Sequence, residues 1–329
     1  MLKFLSIVTI ISFAYRSYAQ ISILSQESNT PVSYASVSFG NGYGIVADEE
    51  GAFLFTKKLY PDIDSLFISA LGYKDLALST RQLKPQLFLQ SQVSELDEVV
   101  IGVTIDKTLN KKYKTESLKP YTDDDYYKCW LPTIDSEIAV YFPKTDTKLK
   151  RIASIQFPIA LESKDWSKRK RANKDKKRFS TIFKVNIYSN KKGNPGENIN
   201  KEIIVFRATE KDGDYHDLDI SSQNILMPNN GVFISIQVLG YTDKNGKLLP
   251  NKKYKEVKAK NGIVRIPTNY RPLLPFTDKI EENRTFVKRV FINGNDWQAF
   301  EKGSGFQSSL LKSGLNNYGI GIDFHVFKD

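Results

Sequence analysis

Apolar residues recur at alternate positions along most of this chain, and a period of two marks strands. Ala35, Val37 and Phe39 alternate with serines, Phe53 and Phe55 share a face, and Leu66 and Ile68 follow the Pro61-Asp62 turn. Residues 21–24 open the series, and Leu87 and Leu89 line a late member. Between residues 41 and 55, a Gly-rich turn feeds a short strand, Asp48-Glu49-Glu50-Gly51 reverses the chain, and 52–55 run back. This spacing predicts a hairpin, with Gly51 at a left-handed position. Further strands are predicted over 151–157, 181–189, 202–208, 231–239, 285–292 and 318–327. In the fourth, Val232, Ile234, Ile236 and Val238 share a face; in the last, Tyr318, Ile320, Ile322, Phe324 and Val326 do. Turns are predicted at Gly193-Asn194-Pro195-Gly196, Pro228-Asn229-Asn230-Gly231 and Asp243-Lys244-Asn245-Gly246. No segment sustains a helical period beyond a few turns.

The expected fold class is all-β. A signal peptide covers 1–19, a first β-sandwich 20–101, a linker 102–128, and a second, jelly-roll-like β-sandwich 129–329. The linker is Lys-rich, with Pro120 and the run Asp123-Asp124-Asp125, and has few apolar residues. The first sandwich carries its own strand and turn signals, so the 20–101 fragment is expected to fold alone.

Three separated pieces of the first third occur in a recognisable order: Pro31 to Phe55, then Leu71-Gly72-Tyr73-Lys74, then the strand from Leu96 to Ile101. Together they resemble the carboxypeptidase-regulatory-like domain. The resemblance implies a transthyretin-like, seven-stranded β-sandwich, found in secreted and envelope proteins of Gram-negative bacteria. It implies no catalysis, since the family is named for its place beside the catalytic domain of some carboxypeptidases. Residues 183–199, Asp217-Leu218-Asp219-Ile220 and 225–236 are similar to a C-terminal β-sandwich behind such domains in exported bacterial proteins.

The N-terminus agrees with export. Lys3 precedes an apolar run over 4–14, and Ser17-Tyr18-Ala19 before Gln20 is a small-x-small cleavage site. The apolar run is too short to span a membrane, and no cysteine follows the cleavage point to take a lipid. The single cysteine, Cys129, rules out an internal disulfide framework and a thiolate-rich metal site.

The net charge of +11 suggests an anionic partner until it is located. Residues 164–178 hold nine Lys or Arg against Asp165 and Asp175, a net of +7. Setting that aside, with the +2 of Lys3 and Arg16, leaves +2. A candidate anion-binding loop therefore comprises Lys168, Arg169, Lys170, Arg171, Lys174, Lys176, Lys177 and Arg178, around Trp166 and Phe179. Lipopolysaccharide phosphates or an acidic glycan are its fitting partners; export sets nucleic acid aside. Like-charge blocks also occur as plain solvated loops.

Catalytic signals are sparse. A zinc hydrolase needs about three ligands and a base, whereas only His216 and His325 exist and neither lies in an H-E-x-x-H frame. Asp323 and His325 share a strand face, the arrangement that orients a base, but no G-x-S-x-G elbow supplies a nucleophile. The aspartate run lacks the alternating ligands and Gly turn of a calcium loop. Trp130, Trp166, Trp297, Tyr241 and Tyr270 are candidates for a sugar-stacking platform, and aromatic packing accounts for them equally.

The expectation is a non-catalytic exported envelope protein that binds a glycan, the cell wall or another envelope protein, with no cofactor. One alternative follows from the Leu-Asp-Glu-Val-Val ending: such domains often precede the plug of TonB-dependent receptors. Too few strands remain here for such a barrel. A hydrolase using His325 is the other alternative.

Overall fold

The structure, a computed structural model, describes residues 20–92, 112–123, 125–161, 178–251, 254–259, 262–266, 268–292, 294 and 296–327. Seven strands form the first module: β1 (Gln20–Ser25), β2 (Ser36–Ser38), β3 (Gly44–Val46), β4 (Ala52–Leu54), β5 (Ser65–Ser69), β6 (Leu76–Ser79) and β7 (Gln86–Leu89). They pair as a three-stranded sheet, β4-β1-β7, and a four-stranded sheet, β3-β2-β5-β6. Ile21, Ile23, Val37, Phe39, Phe53, Leu66, Ile68, Leu87 and Leu89 meet in one core between them. Each is the inward member of an alternating pair, so burying one face of each strand closes the sandwich.

The expected hairpin is not one. Strand β3 pairs with β2, while β4 pairs with β1 in the opposite sheet. The acidic turn is thus the corner where the chain changes sheets. Asp48 Oδ1 accepts the backbone N–H groups of Glu50 (3.1 Å) and Ala52 (2.8 Å), which closes the corner locally. Gly51 has φ +66°, and a Cβ there would lie 2.5 Å from the Ile23 carbonyl oxygen. Local turn chemistry is the same for a hairpin and a corner; only the partners of the flanking strands separate the two. The expected strand over 96–101 lies outside the described residues.

Sixteen further strands follow among the described residues. They are β8 (Tyr113–Leu118), β9 (Cys129–Trp130), β10 (Ser136–Phe142), β11 (Lys150–Pro158), β12 (Ser180–Lys191), β13 (Asn194–Asn198), β14 (Ile204–Thr209) and β15 (Tyr215–Asp219). Next come β16 (Val232–Tyr241), β17 (Lys255–Ala259), β18 (Gly262–Ile266), β19 (Leu274–Thr277), β20 (Thr285–Arg289), β21 (Gln298–Ala299), β22 (Asn317–Tyr318) and β23 (Gly321–Phe327). A seven-stranded sheet runs β13-β12-β16-β10-β20-β21, with β14 also on β12; a four-stranded sheet runs β15-β11-β23-β8. Ile138, Val140, Val185, Ile187, Ile234 and Ile236 on the first, with Ile155, Phe157, Ile322 and Phe324 on the second, belong to one core. The chain is all-β, as the alternation predicts.

Three expectations change in detail. The linker contains β8, an edge strand paired with β23. None of its six residues is buried, so it forms by backbone pairing and carries no alternation to read. The Glu116 carboxylate also holds Lys150, 3.1 Å away. The β12–β13 turn falls at Lys192-Gly193, both with positive φ, two residues before the Gly-Asn-Pro-Gly centre. Finally, the last predicted strand is broken at residues 319–320: β22 pairs with β19, and β23 with the four-stranded sheet.

The modules touch. Ser38 Oγ donates to the Phe291 carbonyl (2.7 Å), and Tyr34 and Val46 enter the second module's core. Gly44 packs flat on the Phe291 ring, where a Cβ would come within 2.4 Å. Beside this contact, residues of the first module, residues 247–251 and Tyr254 line a mainly apolar cleft of about 810 Å³.

Candidate functional site

Four long strands of the seven-stranded sheet turn their second face away from the core. Their registers place Lys184, Gln237, Glu137 and Lys288 side by side in one row, on β12, β16, β10 and β20. The next row is Asn186, Ser235, Ala139 and Phe286; beyond it lie Tyr188, Phe233 and Tyr141. The period of two forces this result. Each residue has a core residue beside it in the chain, as Glu137 has Ile138, Lys288 has Val287 and Lys184 has Phe183 and Val185.

The centre of this face is buried. Glu137, Gln237, Ser235, Asn186, Ala139 and Phe233 are all buried. Lys184, Tyr188, Tyr141, Phe286, Lys288 and Trp297 are half-buried around them. The floor is therefore polar and the rim is cationic and aromatic. Glu137 Oε1 accepts from Asn186 Nδ2 (2.7 Å), Tyr188 OH (2.9 Å) and Ser235 Oγ (2.5 Å). Asn198 Nδ2 in turn donates to Asn186 Oδ1 (3.0 Å), which fixes the amide's orientation. Trp297 meets Tyr188 edge-on, ring centroids 5.4 Å apart.

Burial shapes the electrostatics. It pushes the Tyr188 phenol well above its ordinary value, and the neighbouring Glu137 charge pushes further in the same direction. Burial also lowers the Lys184 ammonium; Glu137 opposes this and Lys288 adds to it. Gln237 Nε2 is buried with no hydrogen-bond acceptor. The Glu137 carboxylate is an acceptor already engaged by three donors, the Ser235 and Tyr188 hydroxyls among them, so its orientation is fixed.

The Asp323–His325 pair lies elsewhere, on the outer face of the four-stranded sheet. His325 Nδ1 accepts from Arg151 Nη2 (2.9 Å), and its ring stacks on Tyr113 at 3.8 Å. Arg151 Nη1 donates to Asn224 Oδ1 (2.8 Å). Asp323 Oδ2 instead accepts from Ser154 Oγ (3.2 Å) and Gln156 Nε2 (3.1 Å). A serine, an aspartate and a histidine do come together here. Their hydrogen bonds run Ser to Asp and Arg to His, so the Ser–His link that would activate a nucleophile is not formed. Burial lowers the His325 pKa, with Arg151 acting in the same direction against Asp219 and Asp323.

The other candidates scatter. Trp130 packs on Phe276 and Phe300, Tyr241 on Tyr270, and Trp297 on Tyr188, so these aromatics form three separate contacts and no shared platform. His216 Nδ1 bonds Asp212 Oδ1 (2.9 Å) and its ring stacks on Phe206. Asp123 pairs with Lys128 (3.0 Å), and Asp125 caps the turn at 126–128. Among the described residues no group of three His, Cys, Asp or Glu is placed to hold a metal ion. Arg178 is exposed at the start of β12; Trp166 and the other seven cations of the anion-binding loop lie outside the described residues.

Glu137, Lys184, Ser235, Gln237 and Lys288 were not legible as a site. A signal existed: a single charge inside an otherwise apolar strand, as in Ile-Phe-Lys-Val and Ser-Glu-Ile-Ala-Val. No family model, no curated protein and no solved structure matches this chain.

Proposed function

We propose that this chain is a non-catalytic, exported envelope protein whose second module binds carbohydrate on the polar face of its seven-stranded sheet. The observation that carries the reading is the buried, hydrogen-bonded Glu137 cluster. A buried carboxylate and amides form the floor, and Trp297 and Tyr188 stand at the rim. Sugars offer that combination its complement: hydroxyl groups for the fixed polar floor, and C–H faces for the rings. Export is supported by the three-part grammar of residues 1–20 and by the resemblance of 31–101 to a regulatory-like domain of envelope proteins. Among the described residues no helix is long and apolar enough to cross a membrane.

Binding of the full exported chain to an array of bacterial and plant polysaccharides tests the reading. The expected result is retention of a subset of them, weakened at least tenfold by Trp297→Ala, since a stacked ring and its pocket contribute on the order of 1–3 kcal/mol. No retained saccharide, or retention indifferent to Trp297→Ala, overturns it.

A further inference from the structure

We infer that the saccharide held on this face is acidic, a uronate-containing chain whose carboxylate is received at the ends of the row, by Lys184 and Lys288, while its hydroxyl groups meet Glu137 and Gln237 at the centre. This rests on the carbohydrate reading above and narrows it to one class of sugar.

Three observations lead there. First, the two lysines occupy the ends of a single row, separated by Gln237 and Glu137 on the two strands between them. Neighbouring strands lie about 4.8 Å apart, so the lysine backbones are about 14 Å apart. Second, neither ammonium has an ion-pair partner within 4 Å among the described residues. Each nevertheless stands half-buried, and Lys184 senses the Lys288 charge across the row. A partly desolvated ammonium is costly; the one Glu137 charge between the two lysines offsets part of that cost, and an incoming anion relieves the rest. Third, the row holds two cations and one carboxylate, a surplus of one positive charge. A sugar carboxylate cancels it. A phosphate monoester, carrying about −1.5 to −2, oversteps it beside Glu137.

The floor supplies the rest. Glu137 Oε1 is saturated by Asn186, Tyr188 and Ser235, which leaves Oε2 as the acceptor for a sugar hydroxyl. Gln237 Nε2, buried and without an acceptor, is the donor adjacent to it. Repulsion between Glu137 and the incoming carboxylate places that carboxylate towards the lysines and the hydroxyls towards the row's centre.

Calorimetric titration of the full exported chain with oligogalacturonate, oligoalginate and hyaluronate fragments, each against its carboxyl-reduced counterpart, tests this. At least one acidic form is expected to bind, its reduced form at least tenfold more weakly. Lys288→Met is expected to weaken the acidic ligand about 10- to 100-fold, the range for a hydrogen bond to a charged group, and to weaken the reduced form by a much smaller factor. Lys184→Met is expected to act likewise; Lys288→Met, at the half-exposed rim, keeps the test decisive if the Lys184 variant fails to fold. Equal affinity for acidic and reduced forms overturns the inference and leaves carbohydrate binding standing. Binding by none of the acidic forms, or an unchanged affinity in Lys288→Met, also overturns it.

Discussion

The second module carries two polar sheet faces, both turned away from the shared core and both built from four strands, yet they are finished differently. On the seven-stranded sheet, three donors converge on one Glu137 oxygen and a further amide orients one of them. On the four-stranded sheet, Arg151 Nε, Gln156 Oε1 and Asp323 Oδ1 are buried without a hydrogen-bond partner. The first face converges on one carboxylate oxygen whose donors are in place before any ligand arrives, with Gln237 Nε2 left over beside it. The second is a half-satisfied one that fixes His325 and edge strand β8 to the sheet without committing its remaining atoms. A converging network is what recognition requires, because ordering cost is met during folding and not again on binding.

Breaking the network at its centre should have the largest effect. Glu137→Ala leaves the donors Asn186, Tyr188 and Ser235 without their acceptor and two lysines without the charge between them. A loss of about 3–5 kcal/mol is expected, read as a lower denaturation midpoint in urea. A loss under about 1 kcal/mol would make the two faces alike and remove the basis of the comparison. Removing a single contributor is smaller: Ser235→Ala should cost about 1 kcal/mol, and a double-mutant cycle with Tyr188→Phe should show coupling through their common acceptor.

The same surgery on the other face should barely register. Gln156→Leu gives up donors to Ser154, Asp217 and Asp323 but also removes a buried oxygen that has no partner. The two effects offset, and a change within about 1 kcal/mol of zero is expected; a loss of about 3 kcal/mol would show this face to be as convergent as the first. Asp323→Asn with His325→Gln should leave saccharide binding unchanged, whereas a loss of binding would move the site.

The smallest effect is a pH slope. Burial, reinforced by Arg151, holds His325 below its ordinary 6.5. Between that value and the lower one the folded chain has, the unfolded chain binds a proton that the folded chain refuses. Stability is therefore complete above 6.5 and declines as pH falls through the window. His325→Gln should flatten this part of the profile, and thermal unfolding scans from pH 7 downward measure it. An identical slope in the variant would show that another group is responsible.

The first module was the more legible half. Ala35, Val37, Phe39, Leu66, Ile68, Leu87 and Leu89 all point inward, as their spacing says, and β1, β5 and β7 keep their other face open or half-open to water. The seven-stranded sheet defeats that rule: β16 is buried on both faces, so Phe233, Ser235 and Gln237 lie as deep as Val232, Ile234 and Ile236. Alternation names two sets of residues but not which is core and which is floor. Strand β8 shows the opposite limit, a strand with nothing buried and so nothing to alternate.

By itself, the order of residues determined that this chain would be built of strands, where most of them would lie, and that Gly51 would stand at a reversal. Those features depend on neighbours within a few positions. Tertiary structure alone decided that the acidic turn is a corner between sheets, and that Glu137, Lys184, Ser235 and Lys288 share one face. These four come from strands far apart in the chain, and only the pairing register brings them together. Register is set by the burial of whole sheets against each other, a property that no short window of sequence contains.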